Sequence, residues 1–282
     1  MKEFPVRKRI LADKIFKVVI ILLSFACILP MFFIIFFITS KGISVINWEF
    51  LTQLPKPVGE AGGGIFNALI GTFMLIAVST LLSVPLGVLA GIFLSEYRKG
   101  RLVYLVRLSI ETLQGIPSIV FGIIAYVWIV VLVGSFSALS GGVALAMMML
   151  PVIITATEET LKLIPDSLRE ASLALGVSYP RTILKVVLLS GLSGILTGIL
   201  LSVARVAGET APLLFTAFGS PFMDFNILKP VNTLPLMIFN YATSPYPEWH
   251  RLAWGASFVL IVFVLGINLF TKLVTRRWKV QF

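Results

Sequence analysis

An all-α integral membrane protein with six transmembrane helices is the fold class this sequence predicts, and three observations carry the prediction. Hydrophobic residues make up 58% of the 282-residue chain and charged residues only 13%, at a mean hydropathy of +1.00. The apolar residues gather into runs of about 20 or more, the length that crosses a hydrocarbon core of about 30 Å. The basic residues, 23 against 13 acidic ones, cluster beside those runs.

The elements follow in order. Residues 1–17 carry six basic residues and form a tail on the cytoplasmic side of the first span, 18–38. A polar connection over 41–64 ends in Gly62-Gly63-Gly64. Span two covers 65–94 with Pro85 inside it, a kink that neighbouring helices tolerate. Residues 95–107 hold Arg98, Lys99, Arg101 and Arg107, then span three runs over 116–134 and span four over 138–157. A polar island, 158–182, precedes span five, which starts near Ile183 and continues past Arg205. Residues 219–250 are a proline-rich connection to span six, 252–273, and 275–282 form a basic C-terminal tail. The transmembrane domain as a whole is 18–274. With both termini inside, the inner segments hold 18 basic residues and the outer ones four, Lys41, Lys56, Lys229 and Arg251, as lysine and arginine bias requires.

A net charge of +10 alone would fit a nucleic-acid binder, but its placement beside the spans points to a membrane surface. The single cysteine, Cys27, excludes an intrachain disulfide, and the first span reads as retained rather than as a cleaved leader. With one histidine, His250, the sequence shows no catalytic triad, no phosphate-binding glycine loop and no metal-ligand cluster. Tyr241, Tyr246, Trp249 and Trp254 are expected to form an outer aromatic belt with His250 among them. Gly194 and Gly198 form a small-xxx-small pair expected to pack closely on another helix.

The island reads EETLKLIPDSLREASLALGVSYPRTILK over 158–185, with four carboxylates and four basic side chains. Asp166 is placed to cap a short helix. Leu168, Ala171 and Leu175 share one face at helical spacing. Gly176 suits a left-handed stop, and Ser178 with Pro180 suits a second helix start. A solvated loop between two spans is the plainer reading. The spacing Glu170-Ala171-Ser172 with Gly176 four residues on resembles the EAA loop of ABC importer permeases, with Ser172 for the second alanine and Leu188-Leu189 where Leu-Pro is usual. That resemblance implies a coupling helix, carried by Asp166, Leu168, Glu170, Ala171, Leu175 and Gly176, that docks on a cytoplasmic ATPase.

Residues 204–217 read ARVAGETAPLLFTA. On a continuous helix Arg205 and Glu209, four apart, share a face. A charge at mid-bilayer costs about 2.5–3.5 kcal/mol on insertion scales, so such residues usually face a bundle interior or a pathway; a structural ion pair between the two is the alternative. Gly208 and Pro212 are placed to open the helix and expose backbone amides. The stretch resembles the span-five signature of PstA-type permeases of phosphate-specific ABC importers, and Gly115-Ile116-Pro117-Ser118-Ile119-Val120-Phe121-Gly122 resembles their span-three entry. The resemblance, over most of 65–275, implies an ABC importer type I permease fold and one half of a heterodimeric channel. It implies inward passage of inorganic phosphate along Arg205, Gly208, Glu209, Thr210 and Ser118. It also implies a PstC-like second permease, a PstB-like ATPase dimer and an external PstS-like binding protein. No cofactor is expected on this chain; ATP and Mg belong to the partner ATPase, so the chain is not itself catalytic. The rival readings are an ABC permease for molybdate or a polyamine, and an ion-coupled secondary transporter, which would show repeat symmetry and no docking loop.

Overall fold

The computed structural model describes residues 6–60, 62–97 and 99–277, and the side chains of residues 6, 7 and 274–277 lie outside that description. The expectations placed on Lys2, Arg7, Arg98, Arg276, Arg277 and Lys279, and on most of both tails, therefore lie outside the described side chains. Among the described residues the chain is helical apart from turns and one isolated parallel bridge, Phe218 to Val231. Helix α1 is Val6–Gly42, α2 Trp48–Thr52, α3 Phe66–Glu96 and α4 Arg101–Gly115. Helix α5 starts at Ser118–Ala125 and continues through a π-helical turn, Tyr126–Val130, to Val133. Helix α6 is Ala138–Lys162, α7 Asp166–Ala174, and α8 starts at Tyr179–Thr182 and continues through a π-helical turn to Ser190. Helix α9 is Leu192–Val206, α10 Ala211–Leu214, α11 Leu234–Ala242 and α12 Pro247–Arg277.

Among the described residues four helices, α1, α3, α6 and α12, are each long and apolar enough to cross a membrane, and two bent pairs, each taken as one span, bring the number to six. The α8–α9 pair bends by 67° at Gly191. The α4–α5 pair bends by 109°. Its cause is local: Pro117 disfavours helical geometry at the residue before it, and Ile116 is extended at φ −78°, ψ 129°. Residues 101–107, expected as part of a loop, thus begin α4, which packs against α6. Residues 158–162 likewise continue α6 beyond the expected end of span four at 157.

The core lies around α6, which is buried along most of its length, with α3 and α9 on its flanks. Small residues allow the approach. A Cβ on Gly91 of α3 would lie 2.5 Å from Thr157, and Cβ atoms on Gly194 and Gly198 of α9 would lie 2.5 Å from Thr160 and 2.3 Å from Ala156. The Gly194/Gly198 expectation is thereby met by contact with α6. Helix α1 is peripheral, its most apolar stretch uncovered, and it touches α12 near its C-terminal end, where Phe37 meets Trp254 edge-on at 5.2 Å. The start of α12 packs with the start of α3 around Ile65, Ala68, Ala253 and Ala256, whereas the α3 C-terminus, at Glu96, bonds to Arg169 of α7.

The connection 219–250 is more ordered than its prolines imply. Thr233 caps α11, and Pro235 sits in its first turn, where proline needs no donor. Asn67 of α3 donates to Ser220 O at 2.8 Å, and Thr72 Oγ1 accepts from Leu234 N at 2.9 Å. Lys229 pairs with Asp224 at 2.6 Å and holds that carboxyl below its usual range. The aromatic belt is corrected in one member: Tyr241 is 8% exposed and stacks on Trp249 at 4.6 Å, inside the core rather than on the rim. His250 Nε2 lies 2.7 Å from Ser244 O and ties the start of α12 to the preceding turn.

Candidate functional site

Two regions collect the singled-out residues. The first is a cavity of about 240 Å³ lined by Leu113, Gln114, Ile116, Ser118, Phe121, Met148, Pro151, Val152 and Arg205. The α4–α5 corner, α6 and the end of α9 build it. Arg205 is exposed and is the one charged side chain in that lining. It stands in the last turn of α9, where free carbonyls favour a cation. Ser118 opens α5 immediately after Pro117, so the 109° corner places a hydroxyl and the first turn of a helix beside the cavity. The rest of the lining is uncharged, with Ser118 and Gln114 polar among apolar side chains, which leaves the guanidinium to select for negative charge.

The chain breaks its helix directly after Arg205, and this corrects two expectations. Helix α9 ends at Val206, so Arg205 and Glu209 do not share a continuous helix, and among the described residues they form no ion pair. The amides of Gly208 and Glu209 are not free donors either, because they bond to Arg205 O at 3.3 Å and Val206 O at 3.1 Å. Gly208, Glu209 and Thr210 lie on this turn and do not line the Arg205 cavity. Pro212 stands in the first turn of α10, and its backbone is where the two signature stretches meet: a Cβ on Gly122 would lie 2.6 Å from Pro212 Cα.

Sequence reasoning missed Gln114. It lines the Arg205 cavity and also a second cavity of about 280 Å³ formed with Arg107, Ile110, Glu111, Thr155, Glu158, Glu159 and Lys162. Its Nε2 donates to Thr155 Oγ1 at 3.3 Å. Glu158, 6% exposed, accepts from Arg107 and from Lys162 at 2.5 Å, so the first carboxylate of the island is a buried tie between α4 and α6. The available signal was a glutamine standing one residue before Gly115-Ile116-Pro117 at the edge of an apolar run.

The second region is α7 and the turn after it. Leu168 packs into a cluster of Leu161, Ile164, Ile183, Val187 and Ile195, and Ser172 Oγ lies 2.9 Å from Thr182 Oγ1. The expected stripe divides here. Leu168 is half-buried, whereas Ala171 is exposed and Leu175 is 84% exposed. Leu163, at 81%, and Leu173, at 41%, extend the uncovered apolar surface around it. Asp166 is not the cap: Pro165 occupies that position, and the Asp166 carboxylate accepts from Arg169 at 2.9 Å instead. Ser178 stands at the cap position of α8 without a capping hydrogen bond, with Pro180 in the first turn. Glu170 is exposed on the outer side of α7.

Gly176 holds φ +77°, the left-handed conformation its place required. Gly176 N bonds to Leu173 O at 2.9 Å and Val177 N to Ser172 O at 3.3 Å, closing the end of α7. A β-branched residue there costs about 1–2 kcal/mol locally. If α7 is the coupling helix that the EAA-loop resemblance implies, Gly176→Val should insert and fold as a membrane protein yet lose transport as the α7 end reorients. Normal uptake by this variant would show the segment to be a passive loop.

Comparison with known proteins places these features in context. The family model described as "Binding-protein-dependent transport system inner membrane component" matches residues 83–280. The phosphate transport system permease protein PstA of Haemophilus influenzae is 41% identical over 241 residues, covering 85% of each chain. That of Yersinia pestis is 42% identical over 247 residues, covering 87% of this chain and 84% of its own. The probable phosphate transport system permease protein PstA of Methanocaldococcus jannaschii is 38% identical over 260 residues and 92% of each chain. Among solved structures, an inward-facing MetNI methionine ABC transporter aligns with TM-score 0.63 at 21% identity, covering 76% of this chain and 97% of its own. An amino acid ABC transporter aligns with TM-score 0.58 at 16% identity, covering 76% of this chain and 93% of its own. These two likenesses establish the fold, an ABC importer type I permease.

Proposed function

The chain belongs to the family of binding-protein-dependent transport system inner membrane components, and on that premise we propose that it is the PstA-type permease subunit of an ATP-driven importer of inorganic phosphate. The observation that carries the substrate is Arg205 as the one charged group lining its cavity, in a chain whose relatives are phosphate permeases. A guanidinium is planar, always charged and donates two parallel hydrogen bonds, which suits a tetrahedral oxyanion. A polyamine would meet the wrong charge there. Ser118 and Gln114 add neutral polar contacts that replace part of the hydration shell without holding the anion too tightly for release.

The chain supplies one wall of the path. A PstC-like permease supplies the other, a PstS-like protein delivers phosphate from outside, and ATP with Mg is bound and hydrolysed by a PstB-like ATPase dimer. Helix α7, with Asp166, Glu170, Ala171, Leu175 and Gly176 on or beside its uncovered side, is the part that enters the ATPase. Gly208, Glu209 and Thr210, on the turn between Arg205 and α10, border the same path. Cells lacking only this chain should lose ATP-dependent uptake of radiolabelled phosphate and recover it when the gene is returned. Unchanged uptake in the deletion would overturn the assignment.

The same reading sets both termini and residues 158–182 in the cytoplasm, with the membrane crossed by basic-flanked spans. A cysteine at position 167, in a Cys27→Ser background, should react with an impermeant thiol reagent only after cells are opened. Labelling of intact cells would reverse the orientation.

A further inference from the structure

Arg169 lies in the island but does not face the uncovered side of α7. Its side chain is 14% exposed, and it donates to Glu96 Oε1 at 3.1 Å, where the Glu96 side chain is 8% exposed. It also donates to Asp166 at 2.9 Å, to Ile164 O at 3.3 Å and to Leu161 O at 3.4 Å. The last two are carbonyls at and just beyond the end of α6, among the groups a helix leaves unpaired at its C-terminus. Glu96 is the final residue of α3, and its other carboxylate oxygen accepts from the Tyr179 hydroxyl at the start of α8. One guanidinium thus fastens α7 to the ends of α3 and α6, and one carboxylate fastens α3 to α7 and α8.

We propose that the Arg169–Glu96 pair is the joint through which movement of α7 reaches the Arg205 cavity, making both positioning residues for transport; the inference rests on the importer reading above. Three facts argue for the pair over the other attachments of α7. The Leu168 contact is apolar and non-directional within a cluster shared by α6, α8 and α9, and the Ser172–Thr182 bond reaches α8 alone. Asp166 is 69% exposed, and exposed pairs contribute little. The Arg169–Glu96 pair is nearly enclosed, so separating its members leaves a charge without compensation, and α7 and α3 must move together. From there the path is rigid. Helix α3 is locked onto α6 at Gly87 and Gly91, and α6 carries Met148, Pro151 and Val152 in the cavity wall.

The test uses the complete transporter reconstituted in vesicles, with radiolabelled inorganic phosphate uptake and ATP hydrolysis measured together. Glu96→Gln keeps the shape and removes the charge; Arg169→Lys keeps the charge and removes the fork. Both should assemble and hydrolyse ATP, while phosphate carried per ATP falls by about 5-fold or more. The double variant should be no worse than the worse single one, because both break the same contact. Wild-type phosphate per ATP in an assembled Glu96→Gln variant would overturn the proposal. Parallel loss of assembly, hydrolysis and uptake would also overturn it, by reducing the pair to a fold support. Absence of ATP-driven phosphate uptake in the unaltered transporter would instead remove the importer reading, and this inference with it.

Discussion

Arg205→Ala should assemble with its partners and move phosphate about 10- to 100-fold more slowly than wild type. The cavity loses its one charged lining group, and hydrogen bonds to charged groups contribute about 1.5–3 kcal/mol each, which corresponds to about 10- to 100-fold in rate when the anion must shed water to pass. Arg205 is exposed, so the substitution removes no packed core and leaves no buried partner unpaired. Arg205→Lys retains charge without the bidentate fork and should fall between wild type and alanine. Radiolabelled phosphate uptake, with complex yield measured on the same preparations, checks the order. Uptake by assembled Arg205→Ala at the wild-type rate would make the residue peripheral.

Gly122→Val should cost stability as well as transport. A Cβ at this position would lie 2.6 Å from Pro212 Cα and 2.7 Å from Pro212 O, and both are backbone atoms that cannot rotate away. Overpacking of this kind typically costs about 1–3 kcal/mol. The contact joins α5 to α10, directly behind Phe121 in the cavity wall, so the strain also displaces the corner that positions Ser118. Thermal stability of the detergent-extracted complex should drop and phosphate uptake should fall with it. An unchanged melting profile would mean that the two signature stretches are not packed against each other in the assembled protein.

Much of this architecture is written locally in the sequence. Gly176 had to adopt positive φ because a helix ended there with a second one starting two residues on. Gly194 and Gly198 had to meet another helix because nothing else explains two missing side chains on one face. Arg205 stood out because a charge in an apolar run needs a reason. The Arg205 role still extends beyond pattern, since the helix break after Val206 removed its supposed partner Glu209. The missed features are those that depend on distant residues or on competing signals. The Glu96–Arg169 pair joins positions 73 apart, and no periodicity reports it. Helix α11 was hidden because five prolines between 219 and 250 read as breakers, although Thr233 followed by Pro235 is a helix-start signal. Asp166 lost the capping position to Pro165 because Arg169, three residues on, offered its carboxylate a charged donor instead. The 109° corner was legible in Ile116-Pro117, but its effect on Gln114, which it turns into two cavities at once, required the third dimension.

The central claim is inward movement of inorganic phosphate driven by ATP through a channel of which this chain is one half. The most direct measurement reconstitutes the purified complex with its ATPase and external binding protein into sealed vesicles and follows labelled phosphate, molybdate and spermidine separately, with and without ATP on the α7 side. The account predicts accumulation of phosphate alone, dependent on ATP and slowed about 10- to 100-fold by Arg205→Ala. Accumulation of molybdate or spermidine in its place, or of phosphate driven by an ion gradient without ATP, would contradict it.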